Sequence, residues 1–302
     1  HYNDKNLIEK VIRALSLLEM LVKAGCPLVF KGGTALMLIL GKSAHRLSID
    51  IDLICPPGTN IEDYLKSFAD FGFINLELVE RKQRDDADIP KSHSKFFYQI
   101  AYRNDTDAQS YILLDVLYED IHYFRTQQIA INCPFIRLEG KPLMVTVPSA
   151  EDILGDKLTA FAPNTTGIPY YRNGRSCSME IAKQLYDVGR LFENVSDLQI
   201  TKEAFRKIAV VELSYRSFGT DIGQVFNDIR QTALCISTRG KAGEGDFDLI
   251  QDGIIRVKSF MYKQRYLIDH AIIDAARAAY LATLIEKGIN EIESYSNNPA
   301  DI

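Results

Sequence analysis

Residues 31–53 read KGGTALMLILGKSAHRLSIDIDL, and this stretch decides how the rest of the chain is read. The glycine pair Gly32 and Gly33 is followed by Thr34 and a short apolar segment. Arg46, Ser48 and two aspartates, Asp50 and Asp52, come next. On a strand, residues two apart point to the same face. A strand over 48–55 therefore projects Ser48, Asp50 and Asp52 together and turns Ile49, Ile51 and Leu53 toward a core. Two adjacent carboxylates repel unless a cation stands between them. Mg²⁺, or its close substitute Mn²⁺, suits an all-oxygen site shared with phosphates. The glycines allow close backbone approach and present N–H groups ahead of a helix start, an arrangement suited to phosphate. Metal pair and phosphate cradle together imply phosphoryl or nucleotidyl transfer.

Working outward, residues 5–24 place apolar side chains at helical spacing, from Leu7 through Val11, Leu15, Leu18 and Val22. Gly25 and Pro27 close that helix. A short strand over 28–30 leads into the glycines. A helix over 34–40 follows, capped near Thr34. Residues 60–71 fit an amphipathic helix. Three β-rich runs cover 74–79, 96–101 and 111–117, with a polar connection over 81–95. The run YILLDVLYED sets Asp115 inside the last of them. A carboxylate among apolar strand residues either faces solvent at a sheet edge or is paired or metal-bound. With Asp50 and Asp52 upstream, a third metal-site carboxylate is the preferred reading.

Residues 126–148 read as further strand. At Ser149 the character changes: Ser149 with Asp152 three residues on resembles a capping box. Helices then follow over 149–162, 177–194, 202–217, 221–236, 247–262 and 265–287. The polar segments 163–176 and 241–246 read as loops. The expected fold is α+β. A mixed β-sheet core with flanking helices occupies residues 1–148, and a C-terminal helical domain over 149–302 completes the cleft.

Bulk properties narrow the class. With 302 residues the chain has room for about two domains. A net charge of −5 excludes a polycation, so any nucleic-acid contact must be a local patch. Five scattered cysteines without a CxxC pair fit reduced, mostly buried thiols and a cytoplasmic protein. No apolar run approaches a bilayer span, and no signal peptide is visible.

GG(S/T), a short helix, DxD on a strand and a later lone Asp resemble the polymerase-β-type nucleotidyltransferase superfamily. KGGTAL with RLSIDIDL is similar to its AbiEii/AbiGii toxin branch, which includes the MenT-like toxins. VPSAEDILGDKLTAF over 147–161 resembles that branch's lysine-bearing helix, with Lys157 at the lysine position. MEIAKQLYDVGRL over 179–191 resembles its RxxKDxxDL motif, offering Lys183 and Asp187. Gln184 stands where the family often has Asp, and Val188 replaces Leu.

The resemblance implies a Mg²⁺-dependent enzyme that moves a nucleoside monophosphate from an NTP to an acceptor such as a tRNA 3′ end. It would act as the toxin of a toxin–antitoxin pair in phage defence, beside a cognate antitoxin for which the C-terminal helices are one candidate surface. Asp50, Asp52 and Asp115 would hold metal. Gly32, Gly33, Thr34, Arg46, Ser48 and Lys157 would meet the nucleotide, and Asp187 would orient Lys157 or the substrate. Without the resemblance, spacing favours Lys157 as a solvated helix lysine and Asp187 as an i, i+4 partner of Lys183; the family pattern reverses that. Arg172, Arg175, Lys183 and Arg190 with Tyr170 and Tyr171 form a basic, aromatic neighbourhood suited to single-stranded RNA. A protein hydroxyl or a small molecule such as an antibiotic remains open as acceptor, as does a non-catalytic nucleotide-binding module.

Overall fold

The structure is a computed structural model, and it describes residues 5–79, 91–101, 108–133, 136–137, 139–195, 197–216 and 221–292. The expected α+β architecture is present. Helix α1 (Lys5–Lys23) is followed by β1 (Val29–Lys31), α2 (Gly32–Leu40), β2 (Ile51–Cys55), β3 (Asn75–Val79), β4 (Lys91–Gln99) and β5 (Gln109–Tyr118). These strands form one sheet in the order β1-β2-β5-β4-β3. Only the β2–β5 pair is parallel; the others are antiparallel. Strands β6 (Thr126–Ala130) and β7 (Met144–Pro148) pair beside it, and β7 runs next to β1.

The sheet obeys the two-residue period. Phe30, Ile51, Leu53, Phe96, Tyr98, Ile112, Leu114 and Val116 turn to one face, where Ala14, Leu17, Leu18 and Leu21 of α1 and Ala35 and Met37 of α2 bury them. The opposite face carries Lys31, Asp52, Asp115 and His93, one from each of four neighbouring strands and in direct register. Beside that polar row, Val29, Ile54 and Leu117 pack under Tyr123 and Ile208. One face is thus core, and the other is split between chemistry and a small apolar seam.

The second core belongs to α3 (Ala150–Ala160), α4 (Ser178–Phe192), α5 (Leu198–Tyr215), α6 (Ile222–Ser237), α7 (Phe247–Val257) and α8 (Ile268–Lys287), which bury a continuous cluster of Leu, Ile, Val and aromatic side chains. Helix α4 is central, packing on α3, α7 and α8. Ser149 caps α3 by accepting from the Asp152 N–H at 3.1 Å. The Asp152 carboxylate accepts from the Phe124 and Arg125 N–H groups at 2.6 and 2.9 Å, which ties the cap to the strand half.

Several boundaries move. Strand β2 begins at Ile51, so Ser48 and Asp50 lie in the extended approach to it rather than on it. Helix α2 begins at Gly32, and the Thr34 hydroxyl donates to the Asp50 carbonyl at 2.6 Å instead of capping a helix. Residues 60–71 form two 3₁₀ turns, Ile61–Tyr64 and Phe68–Phe71, rather than one α-helix. The Asn60 side chain starts the first turn, and Gly72, in the left-handed region at φ 79°, ends the second. Strand β4 reaches back to Lys91, into the expected polar connection, whose residues 81–90 lie outside the described ones. The segment expected to be a loop over 163–176 holds a hairpin, β8 (Tyr171–Arg172) and β9 (Arg175–Ser176). Asn173 and Gly174 both have positive φ, 50° and 72°, as a two-residue type I′ turn requires. Four of the five cysteines are buried. No helix among the described residues is long and apolar enough to cross a membrane.

Leu18 is fully buried between α1 and the sheet. Leu18→Ala should cost about 2–5 kcal/mol, read as a lower urea midpoint with the slope retained. An unchanged midpoint would contradict this placement of α1.

Candidate active site

The site is built on the polar row. Asp52 and Asp115 are paired residues on parallel strands, so their side chains stand side by side on one face. Asp50 is only partly exposed where the chain enters β2. Burial raises the Asp50 carboxyl, with Asp115 adding to the rise and Lys183, Lys10 and Arg46 opposing it. Burial, Asp115 and Asp50 together push the Asp52 carboxyl up to about 7, against the pull of Lys31 and Lys157. Three carboxylates therefore share one neighbourhood with too little positive charge, the situation a divalent cation relieves. The donor set fits a hard cation that takes oxygen ligands. Among the described residues no three such side chains are already gathered into a metal-holding group. Asp115 is turned instead to His93, whose Nδ1 is hydrogen-bonded to its Oδ1.

The glycines serve this row by close approach. A Cβ on Gly32, whose φ is +79°, would lie 2.0 Å from Asp52 Oδ2. A Cβ on Gly33 would lie 2.8 Å from Ser48 Oγ and 2.9 Å from Arg46 Nη2. The pair thus makes room for three site side chains, while α2 opens from Gly32 without a side-chain cap. Thr34 is fully buried, so its hydroxyl, expected to meet the nucleotide, instead fixes the backbone that carries Asp50.

Facing the row is α4. Lys183, Gln184 and Asp187 fall on one helical stripe. Asp187 is almost fully buried and accepts three bonds from Arg46, Nε at 3.1 Å and Nη2 at 2.9 and 2.7 Å. Lys157 Nζ lies 3.1 Å from the same carboxylate and donates to Gln184 Oε1 at 2.9 Å. Burial alone would raise the Asp187 carboxyl, but Arg46 and Lys157 outweigh it and hold it below its usual range. Arg46, expected to neutralise phosphate, is thus committed to Asp187 in this arrangement. Lys157 is no solvated helix lysine, and the ion pairs of Asp187 are with Arg46 and Lys157 rather than Lys183. Lys183 Nζ stands 4.0 Å from the centroid of the Phe260 ring, and burial and the charge of Arg46 pull its amine below the ordinary range.

Sequence reasoning missed two neighbours. Burial alone would lower the Lys31 amine, but Asp156, Tyr123, Glu119 and Asp52 hold it well above its usual value. Its Nζ is 3.8 Å from Asp156, to which the Tyr123 hydroxyl also donates. His93 lies opposite Asp115, and its Nε2 is buried with no hydrogen-bond partner among the described residues. Carrying the Phe96–Tyr98 alternation back through SHSK would have put His93 on the face of Asp115. Of the basic and aromatic neighbourhood, Arg190 pairs with Glu193 at 2.9 Å and Tyr170 packs on the helical core, leaving Arg172, Arg175 and Tyr171 exposed.

Paired strand carboxylates opposite a lysine-bearing helix, with a glycine-led helix start beside them, define a nucleotidyltransferase. The family model for the nucleotidyl transferase AbiEii toxin, of type IV toxin–antitoxin systems, matches residues 15–278, and the chain belongs to that family. Two solved structures are similar over most of its length. MenT4, a nucleotidyltransferase toxin from Mycobacterium tuberculosis, is 14% identical with a TM-score of 0.47, covering 95% of this chain and 86% of that one. JHP933 from Helicobacter pylori is 17% identical with a TM-score of 0.43, covering 95% and 92%. No curated protein matches the chain.

Removing one partner of a buried ion pair costs about 3–5 kcal/mol, so Asp187→Ala should lower the denaturation midpoint sharply. Arg46→Met in that background should recover part of the loss. The Asp187 carboxyl is depressed in the folded state. Its contribution is therefore full above the ordinary carboxylate range and lost only as pH falls through the folded value. Purely additive losses in the double variant would argue against the pair. Gly32→Ala should displace Asp52 and cut transfer about 10²-fold in a folded protein; near-normal transfer would contradict the contact.

Proposed function

We propose that the enzyme moves a nucleoside monophosphate from an NTP to the 3′ end of an RNA, with tRNA the acceptor, and that this modification is how the toxin blocks growth. The observation that carries the reading is the shared neighbourhood of Asp50, Asp52 and Asp115 opposite the Lys183–Asp187 stripe. Asp50, Asp52 and Asp115 would hold Mg²⁺. The ion would neutralise triphosphate charge and make the acceptor hydroxyl a better nucleophile.

The chain's own groups do the remaining work. Lys183, with its amine held close to the acidic side of the cleft, binds phosphate oxygens. The uncapped start of α2 at Gly32 and Gly33 offers N–H groups to the same phosphates. Lys157 and Arg46, locked to Asp187, add positive charge behind them. The acceptor oxygen attacks the α-phosphorus, the bond to the β-phosphate breaks, and pyrophosphate leaves. The hydroxyl proton passes to the acidic row, where Asp115 is held by His93. Positioning and charge compensation supply most of such a rate enhancement.

The division near residue 148 is part of this proposal: a strand half carries the carboxylates and a helical half carries the phosphate-binding lysines. A cognate antitoxin is the partner, with the exposed faces of the C-terminal helices as the docking region proposed here.

Incubation with each labelled NTP and separate RNA, protein and small-molecule pools tests the acceptor. Label in tRNA, lost together with growth inhibition in Asp50→Ala and Asp52→Ala, is the expected result. Label in protein or a small molecule instead would overturn the tRNA reading, and full activity in both variants would overturn the site. Because Asp52 is pushed up to about 7, Mn²⁺ or Mg²⁺ must displace its proton at lower pH. Metal affinity should rise with pH up to about 7 and then level, with proton release visible as buffer-dependent heat in calorimetry. A pH-independent affinity would remove Asp52 from the ligand set.

A further inference from the structure

The β8–β9 hairpin is the built feature that the transfer chemistry leaves unused. Its two-residue turn places Arg172 directly opposite Arg175. Side chains opposite each other on paired strands share a face, and like charges there repel. Both arginines are exposed, and among the described residues neither has an ion-pair partner. Asn173 and Gly174, at φ 50° and 72°, hold the two forks together at the tip of a tight turn. Such a turn maintains a charge repulsion that a longer loop would relax.

Beneath the pair lies a surface cavity of about 540 Å³, lined by Arg172, Asn173, Arg175, Ser176, Cys177 and Glu180. Glu180 is the link to the reaction. Glu180, Lys183, Gln184 and Asp187 follow the i, i+3, i+4, i+7 spacing, so they form one stripe along α4. Seven residues of helix span about 10 Å. The hairpin cavity and the acid-facing side of α4 are therefore two ends of one track. Glu180 lines the same cavity as the two arginines and adds one negative charge to it.

We infer that Arg172 and Arg175 clamp the phosphodiester backbone of the acceptor RNA a few nucleotides before its reacting end. This rests on the RNA-acceptor reading above. Guanidinium forks bind phosphate oxygens two at a time, and a phosphate between the arginines removes their mutual repulsion. The overall charge of −5 makes such a local grip necessary for a polyanion. Tyr171, one residue before Arg172, projects from the opposite face and takes no part.

The test compares full-length wild type with Arg172→Gln, Arg175→Gln and the double variant, using a tRNA and labelled NTP. The double variant should raise the KM for RNA about tenfold to hundredfold, with NTP affinity and kcat at saturating RNA unchanged. For a single-stranded contact, its binding should lose about 0.7 from the slope of log affinity against log salt, as expected for one shared phosphate. Arg172→Lys/Arg175→Lys, which keeps charge without the fork, should fall between. The thermal midpoint of the double Gln variant should match or exceed that of wild type, since repulsion is removed; if it falls, the Lys variant decides. Wild-type RNA KM and salt slope in the variants would overturn the clamp while leaving the acceptor reading intact. A wild type that neither binds nor labels RNA would overturn both.

Discussion

One buried carboxylate, Asp187, holds two cations that belong to different parts of the chain. Arg46 arrives from the segment between α2 and β2, and Lys157 from α3. Burying three charges is tolerable only when all are matched, because a lone charge in that environment would cost several kcal/mol. The match therefore works as an all-or-none condition on how α4 sits against the sheet. Backbone bonds repeat the constraint: Leu47 N donates to Phe260 O at 2.9 Å, and Tyr262 N to His45 O at 3.2 Å. Phe260 also receives the Lys183 ammonium on its ring. The position of the Lys183–Asp187 stripe over the acidic row is thus fixed by charge pairing and by hydrogen bonds, with little left to side-chain freedom.

The acidic row is the opposite case. The core face of the same sheet is satisfied by α1 and α2, yet its other face concentrates carboxylates that burial makes costly to ionise. Glycine at 32 and 33 packs them tighter still, since any side chain there would push Asp52 or Ser48 away. Natural folds accept such local cost at functional sites and compensate for it elsewhere. Here the compensation is nearby: the well-packed Leu and Phe core one layer below the row, and the ion-paired Asp187 across the cleft. Stability comes from these neighbours, and the row is left with a shortage of positive charge that a divalent cation would relieve.

Much of this was legible in the sequence, because much of it is local. The alternation in SIDIDL separates Asp52 from Ile51 and Leu53 without any knowledge of partners, and the helical periods after Ser149 located six helices to within a few residues. What could not be read is relational. Arg46 and Asp187 are 141 residues apart, and nothing near either one names the other. His93 and Lys31 join the row only through strand register, which a single sequence does not display. The 60–71 segment misled because helical spacing of Ile61, Leu65 and Phe68 is equally served by two 3₁₀ turns, the second docked against α1, with Asn60 and Gly72 setting the ends. The hairpin was different: Asn-Gly between short extended pairs is a local signal for a type I′ turn, and it lay in plain view at 173–174 inside a segment read as loop.

Gln184 brings these threads together. It stands where the family pattern often has a carboxylate, and it accepts from Lys157 as a carboxylate would. It adds no negative charge in doing so. Arg46, Lys157 and Lys183 then face two anions on their side of the cleft, Asp187 and Glu180, opposite three aspartates on the other. An aspartate at 184 would bring the helical side close to neutrality and leave Lys183 and Lys157 more fully compensated from within. With glutamine, the same hydrogen-bond geometry is kept while the surplus positive charge remains directed at the space between the two halves. In the reaction proposed above, that space is where the phosphates of a nucleotide, themselves rich in negative charge, are drawn against the repulsion of the acidic row.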